Sequence, residues 1–477
     1  MPPTRPVPST AAARTPAIAV VARQFATLTL AGVAVAASFT NYGPLIPLLE
    51  RELHAAAWQV GLLGTGLYLA IGLAYLPGGV LADRLGPRRV LVAALAAIGA
   101  AGCLLPLHAS LVWVVTCRLG IGLATGAALM AGSQAARLGR HAPLGQGLYG
   151  GATQLGAGLG LFVTPWLTGW RLAGVTGWRG AFLAWAGLAL VAAAACRLLL
   201  LPDGPRPVRV RHVRRAAGTR PLWALGVVHL GTLGLGQGLA PWLPLVVAGT
   251  YRMPVPAAAR VAAISLAVGM VVRPLGGALL GRRAVSERVL LRFGSGLACG
   301  GMGLLVLATA RGGQLTAVLA AAGLVLIAVG VTAPYAAVFD LAGRIGDARA
   351  LGPGTGQGLA SAISAPASAF GPPLVGVLLE RTGGYAAPFT ALGLVALAGF
   401  ASAVFAGGLL VRAAGTAMPA DAARLAAATR HPWRQRRLPV GIRAGRPVAT
   451  LCGASDIPDT SPPTSNGAST SLTEGVA

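Results

Sequence analysis

One carboxylate sits in a burst of positive charge between two long apolar runs. Residues 78 to 91 read Gly-Gly-Val-Leu-Ala-Asp-Arg-Leu-Gly-Pro-Arg-Arg-Val-Leu, which places Asp83 beside Arg84 and just before Arg88 and Arg89. A carboxylate near a helix terminus can accept backbone hydrogen bonds and pair with arginine in one conformation, then release both in another. Charge-assisted bonds of this kind are worth about 1.5–3 kcal/mol each, enough to bias a two-state equilibrium. This is the chemistry of a gate rather than of bond breaking.

A second set of residues could hold a ligand. Arg118, Arg197 and Arg273 fall inside or beside apolar runs, where a charge is costly and usually faces a cavity or a partner. Arg197 is close enough to a run's end to snorkel outward. Arg273 is deep, and a guanidinium there can grip a planar oxyanion with two parallel hydrogen bonds. Arg118 is divided between ligand contact and helix packing. Tyr75, Asn41, Gln154, His229 and Gln237 are the polar candidates on other runs. His229 is the one titratable group placed mid-run, since the acidic residues fall in loops, tails or run ends, with Glu50, Asp340 and Glu380 nearest the hydrocarbon. That favours exchange or facilitated movement over proton-driven flux.

Enzyme chemistry finds no support in the sequence. There is no phosphate-binding loop, no pair of carboxylates within a run, and no Ser/His/Asp constellation. Cys103, Cys117, Cys196, Cys299 and Cys452 are scattered without metal-ligand spacing, so no metal site, no cofactor and no disulfide framework are expected. Gly147, Gly150, Gly151, Gly156, Gly158 and Gly160 lie within an apolar run rather than after a strand, so close helix packing explains them better than dinucleotide binding.

These residues must be positioned by membrane helices. The chain has 477 residues, 55% of them hydrophobic and only 10% charged, where a soluble protein would carry about 25%. Crossing a bilayer takes roughly 20 apolar residues. Twelve such runs are present, at about 25–49, 58–81, 90–107, 111–135, 145–167, 180–201, 223–248, 261–280, 289–310, 315–339, 354–379 and 385–411. Helices are required because an open strand edge leaves backbone groups unpaired in hydrocarbon. The first run is of span length and lacks a following cleavage site, so it is expected to remain in the mature chain.

The net charge of +26 is answered by distribution. No lysine occurs; with the amino terminus inside, the inner loops hold 17 arginines and the outer loops seven. This is the positive-inside asymmetry, which places both termini in the cytoplasm; the expected location of this multi-pass chain is the plasma membrane. The excess charge reads as orientation plus attraction to anionic headgroups, not nucleic-acid binding.

The expected organisation is a cytoplasmic tail at 1–24, a six-helix bundle at 25–201, a basic cytoplasmic linker at 202–222, a second six-helix bundle at 223–411, and a tail at 412–477 without periodic apolar pattern, expected to be disordered. Traces of a repeat support two halves: Gly78, Gly79, Leu81 and Arg84 recur 198 residues later as Gly276, Gly277, Leu279 and Arg282. Gly281 stands where the first copy has Asp83, so the second copy has lost its carboxylate.

The pattern formed by Gly79, Leu81, Ala82, Asp83, Arg84, Gly86, Arg88, Arg89 and Leu91 closely resembles the loop between spans two and three of the major facilitator superfamily. The resemblance extends over nearly all of the chain from span one to span twelve. It implies an all-α integral membrane protein, twelve transmembrane helices in two pseudo-symmetric six-helix bundles, that moves a small solute by alternating access; two bundles in one chain already form a complete path, so the chain is expected to work as a monomer. It also implies that Gly79, Asp83, Arg84, Gly86, Arg88 and Arg89 form an inner latch between the halves.

Shorter segments resemble the nitrate/nitrite porter branch: Arg273-Pro274-Leu275-Gly276-Gly277, Asn41-Tyr42-Gly43-Pro44-Leu45, and the glycines from Gly156 to Gly160 before Thr164-Pro165. That branch grips its anion with two symmetry-related arginines. Arg273 matches one, while the position 198 residues earlier holds Tyr75, and the eleventh-span signature is eroded. A pocket with one arginine suits a larger or less charged solute than nitrate. The rival readings are an exporter of drugs or metabolites by proton antiport, weakened because Leu161 follows Gly160 where such exporters pair glycine with proline, and a membrane sensor that has lost transport.

Overall fold

A computed structural model describes residues 10–55, 57–137, 141–171, 174–203, 213–310 and 314–415. Among these, twelve long helices occupy the positions of the twelve apolar runs. They are α1 Thr10–Thr40, α2 Ala57–Leu85, α3 Pro87–Leu104, α4 Leu111–Ala135, α5 Ala142–Leu167 and α6 Gly177–Leu199. The second set is α7 Arg220–Tyr251, α8 Val255–Gly281, α9 Glu287–Thr309, α10 Gln314–Ala348, α11 Pro353–Thr382 and α12 Ala386–Ala414.

Eleven helical stretches of the described residues are long and apolar enough to cross a membrane by length and composition. The remaining helix, α5, has 26 residues, but Gln146, Thr153, Gln154 and its glycines dilute its hydropathy. Those same residues suit it to a place between other helices rather than against lipid.

Helix ends follow local chemistry. Ser110 accepts a hydrogen bond from Trp113 N at the start of α4, and Ser286 does the same for Val289 N at the start of α9. Gly86 takes φ 114° between α2 and α3, and Gly383 takes φ 68° after α11; both are left-handed values that glycine adopts without strain. The first helix starts at Thr10, upstream of the expected 25, because the alanine-rich stretch before the apolar run favours helix. The second set begins at Arg220, inside the expected linker, preceded by a short helix at Val213–Ala217. Linker residues 204–212 and the expected carboxy-terminal tail from 416 lie outside the described residues.

Three helices depart from a regular ladder. A 3-10 turn at Gly43–Leu45 follows α1 and leads into a short helix, Ile46–Leu53. The α7 ladder widens to a π-turn at Leu230–Gly234 and tightens again at Ala240–Trp242, and such wide turns are frequent at functional sites. In α10 the regular ladder stops at Gly330 and restarts at Tyr335, around Pro334.

Within the first set, α2 packs on α4, α3 on α4 and α6, and α1 on α5; within the second, α9 packs on α10 and α12, and α7 on α11 and α12. The two sets meet chiefly along α2 with α11 and α5 with α8.

Candidate functional site

The seam between the halves is built from glycine. On α2 and α11, a Cβ at Gly79 would overlap Gly354 O, one at Gly358 would lie 2.5 Å from Tyr75 O, and one at Gly72 would lie 2.7 Å from Ala365 Cβ. On α5 and α8, a Cβ at Gly147 would overlap Arg273 O and one at Gly277 would overlap Pro143 O. Every such approach between halves falls toward the Asp83 end of the bundle. Beyond Gly72 on α2 and Gly269 on α8, no glycine of the described residues makes one. The protein is therefore closed at the Asp83 end in this conformation. Gly79→Val is expected to weaken that closure by about 1–3 kcal/mol, the usual cost of overpacking. Raised labelling of cysteines introduced near Gly354 would report it, and unchanged labelling would count against the seam.

Asp83 ties the closed end together. It is buried and accepts hydrogen bonds from Gln134 Nε2 at 2.8 Å, Gly354 N at 2.9 Å, Thr355 N at 2.7 Å and Thr355 Oγ1 at 2.7 Å. The last three donors belong to α11, in the other half. The first turn of any helix has unsatisfied N–H groups, and the residue preceding α11 is Gly352, which has no side chain to cap them. Asp83 performs the cap from across the seam. At Gly352, φ is 94° and a Cβ would overlap Asp83 Oδ2, so glycine is needed there on two counts. The second repeat has no equivalent, since a Cβ at Gly281 would meet nothing within 4 Å.

The side chain of Arg88 works within the first half. Arg88 donates from Nε to Cys196 O and from Nη2 to Arg197 O, capping the end of α6. Arg89 and Arg84 are exposed. Asp203, at the start of the linker, accepts from Arg88 N and Arg89 N at 3.1 Å each, and a Cβ at Gly86 would collide with it. A second tie crosses the halves: Arg137 Nη1 pairs with Asp347 Oδ2 at 2.9 Å, with Arg137 only 1% exposed. In sequence Arg137 is one more topological charge, and only its neighbour in space reveals the pairing.

Deeper along the seam lies Arg273, 3% exposed. Its Nη1 donates to Gly150 O at 2.9 Å and to Thr153 Oγ1 at 3.2 Å, both on α5 of the opposite half. Its guanidinium stands 4.2 Å from the centre of the Tyr335 ring. Tyr335 is seated where Gly150 leaves room, since a Cβ at Gly150 would overlap Tyr335 Cε1. The Tyr335 ring lies 4.5 Å from Phe339, which in turn meets the edge of His229 at 5.3 Å. Tyr75 is buried within electrostatic reach of Arg273 and Tyr335. Arg273, Tyr75 and His229 thus converge, joined by Tyr335 and Phe339, which look like ordinary core aromatics in the sequence.

The other expected residues are distributed differently. Gln154 packs against Gly269 on α8, one turn from Arg273 along that helix. Gln237 accepts from Ser368 Oγ on α11. Arg118 and Asn41 form a separate cluster. Arg118 Nη1 donates to Ser38 O at 2.8 Å and Asn41 Oδ1 at 3.1 Å, and its Nη2 donates to Phe39 O at 3.3 Å. Its guanidinium also lies 4.8 Å from the Tyr42 ring centre. Arg118 therefore caps the last carbonyls of α1, a favourable place for a cation. Arg118→Leu is expected to destabilise the fold by about 2–4 kcal/mol through these lost charge-assisted bonds, read as a lower Tm; an unchanged Tm would contradict the capping role.

A family model described as Major Facilitator Superfamily matches residues 28–365. The sequence matches no curated protein. Among solved structures, the proton:xylose symporter XylE bound to 6-bromo-6-deoxy-D-glucose is similar, with TM-score 0.66 and 15% identity over 82% of this chain and 96% of that one. The E. coli fucose:proton symporter FucP has TM-score 0.62 and 15% identity, over 80% of this chain and 98% of that one. The human organic anion transporter MFSD10 (TETRAN) has TM-score 0.60 and 19% identity, over 80% and 99%.

Proposed function

The chain belongs to the major facilitator superfamily of membrane transporters, and from that premise we propose that it carries a small anionic solute by alternating access. The observation that carries this reading is that Arg118 and Arg273, the two buried arginines within the spans, have no carboxylate against them among the described residues. Arg273 and Arg118 are both buried, and the partners each has are carbonyls, neutral side chains and a tyrosine face, with no carboxylate ion pair among the described residues. Buried positive charge without a counter-charge favours an anionic ligand over a cation.

Arg273 fits the anion contact, because its position between the halves lets one ligand sense both. Asp83 with α11 and Arg137 with Asp347 are the ties that must break for the closed end to open. The interruptions in α7 and α10 lie beside the same cluster and supply the bending. By the distribution of arginines, the Asp83 end and both termini face the cytoplasm, across the plasma membrane. Two bundles in one chain make a complete path, so the monomer is the working unit. Symporters of sugars and a transporter of organic anions share this fold, so the cargo must be argued from the site.

A specific ligand stabilises the folded state by mass action. Thermal unfolding of the purified protein is expected to shift upward with small anions, drawn from nitrate, nitrite, cyanate and short carboxylates. Neutral sugars and cationic drugs are expected to give no shift. Shifts confined to cationic compounds would overturn the anion reading in favour of an exporter.

A further inference from the structure

Three buried polar atoms around the aromatic stack have no hydrogen-bond partner: His229 Nε2, Gln357 Oε1 and Ser361 Oγ. They lie on α7 and α11, which pack on each other. Gln357 donates from Nε2 to Phe339 O at 3.0 Å, and His229 meets the Phe339 ring edge-on. Ser361 lies one turn beyond Gln357 on the same face of α11, and α7 packs on that helix, with Gly226 against Ile363 and Gly234 against Ser364 O. All three residues are at most 2% exposed.

Leaving one such group unsatisfied costs about 1–3 kcal/mol, so three in one shell are an expensive arrangement unless something fills them. Across the stack, Arg273 also leaves its Nε unpartnered. The shell thus has a cationic end and, one aromatic stack away, a neutral end offering a hydroxyl, an imidazole and an amide oxygen. The π-turn that begins immediately after His229 widens α7 at this level.

Resting on the anion reading above, we propose that His229, Gln357 and Ser361 form the neutral hydrogen-bonding end of the substrate site, and that the substrate is a hydroxylated carboxylate rather than a bare inorganic oxyanion. Arg273 takes the carboxylate. The hydroxyls donate to Gln357 Oε1 and exchange hydrogen bonds with Ser361 Oγ and His229 Nε2, while Tyr335 and Phe339 line the span between the ends.

The test compares binding of gluconate, hexanoate and glucose to the full-length purified protein, before and after Ser361→Ala and His229→Gln. Gluconate is expected to bind at least about tenfold more tightly than either of the others. Each substitution is expected to weaken gluconate about fivefold, the value of one hydrogen bond, and to leave hexanoate unchanged. Ser361→Ala removes a single oxygen, so it carries the test if His229→Gln fails to fold. Equal binding of gluconate and hexanoate would mean that water fills the shell; it would overturn this inference and leave the anion reading standing. Equal loss of both acids in the variants would show a merely structural role and overturn it too. Glucose binding as tightly as gluconate, with no binding of hexanoate, would remove the anion reading itself.

Discussion

Asp83→Ala is expected to lower solute flux at least about tenfold while leaving the protein folded in the membrane. The substitution removes the acceptor for Gln134, Gly354 and Thr355 and exposes the first-turn N–H groups of α11, which Gly352 cannot cap. Even two charge-assisted bonds amount to about 3 kcal/mol, and that shifts the ratio of two conformations by roughly 100-fold. The Asp83 end is then expected to stay open, read as raised labelling of a cysteine placed near Thr355. Asp83→Asn keeps one oxygen but turns an amide N–H toward donors, so it is expected to resemble the alanine variant rather than the wild type. Full flux with unchanged labelling would show that the seam closes without this carboxylate.

Arg273→Ala is expected to abolish anion binding, weakening it by about 100-fold or more, in line with the loss of one partner of a buried charged contact. The loss should fall on ligand and not on folding alone, which Arg273→Lys separates. Lysine keeps the charge but has no planar guanidinium to lie over Tyr335 while one terminal nitrogen holds Gly150 O and Thr153 Oγ1. Partial binding in the lysine variant, with none in the alanine variant, is the expected order. Wild-type affinity in Arg273→Ala would place the anion elsewhere.

The helices and the charged loop are legible in the sequence because both are local signals. Apolar runs of span length mark α1 to α12, and the charges of the loop after α2 interrupt them at a fixed pattern. The role of the glycines is also legible in kind: Gly156 and Gly160 sit against Val33 and Thr40 of α1, as close packing requires. Their neighbours Gly147, Gly150 and Gly151 serve the other half, a division that one run of glycines cannot announce.

What the sequence hides are partners that have no side-chain signature. Asp83 is held by backbone N–H groups 271 and 272 residues away, and Arg118 by carbonyls at the end of α1. Any residue presents such groups, so no motif marks them. Arg137 and Asp203 look like loop charges because a charge near a span end is the commonest case. Their buried or capping roles follow only from where α10 and the start of α3 come to lie. Tyr335 and Phe339 carry no signal of their own, because an aromatic pair at helical spacing is ordinarily core.

Solute-driven charge movement across vesicles containing the purified protein tests anion transport through Arg273 most directly. A signal is expected with an anionic carboxylate, none with neutral or cationic solutes, and the anion signal is expected to vanish in Arg273→Ala. Movement of neutral or cationic solutes with no response to any anion would contradict it.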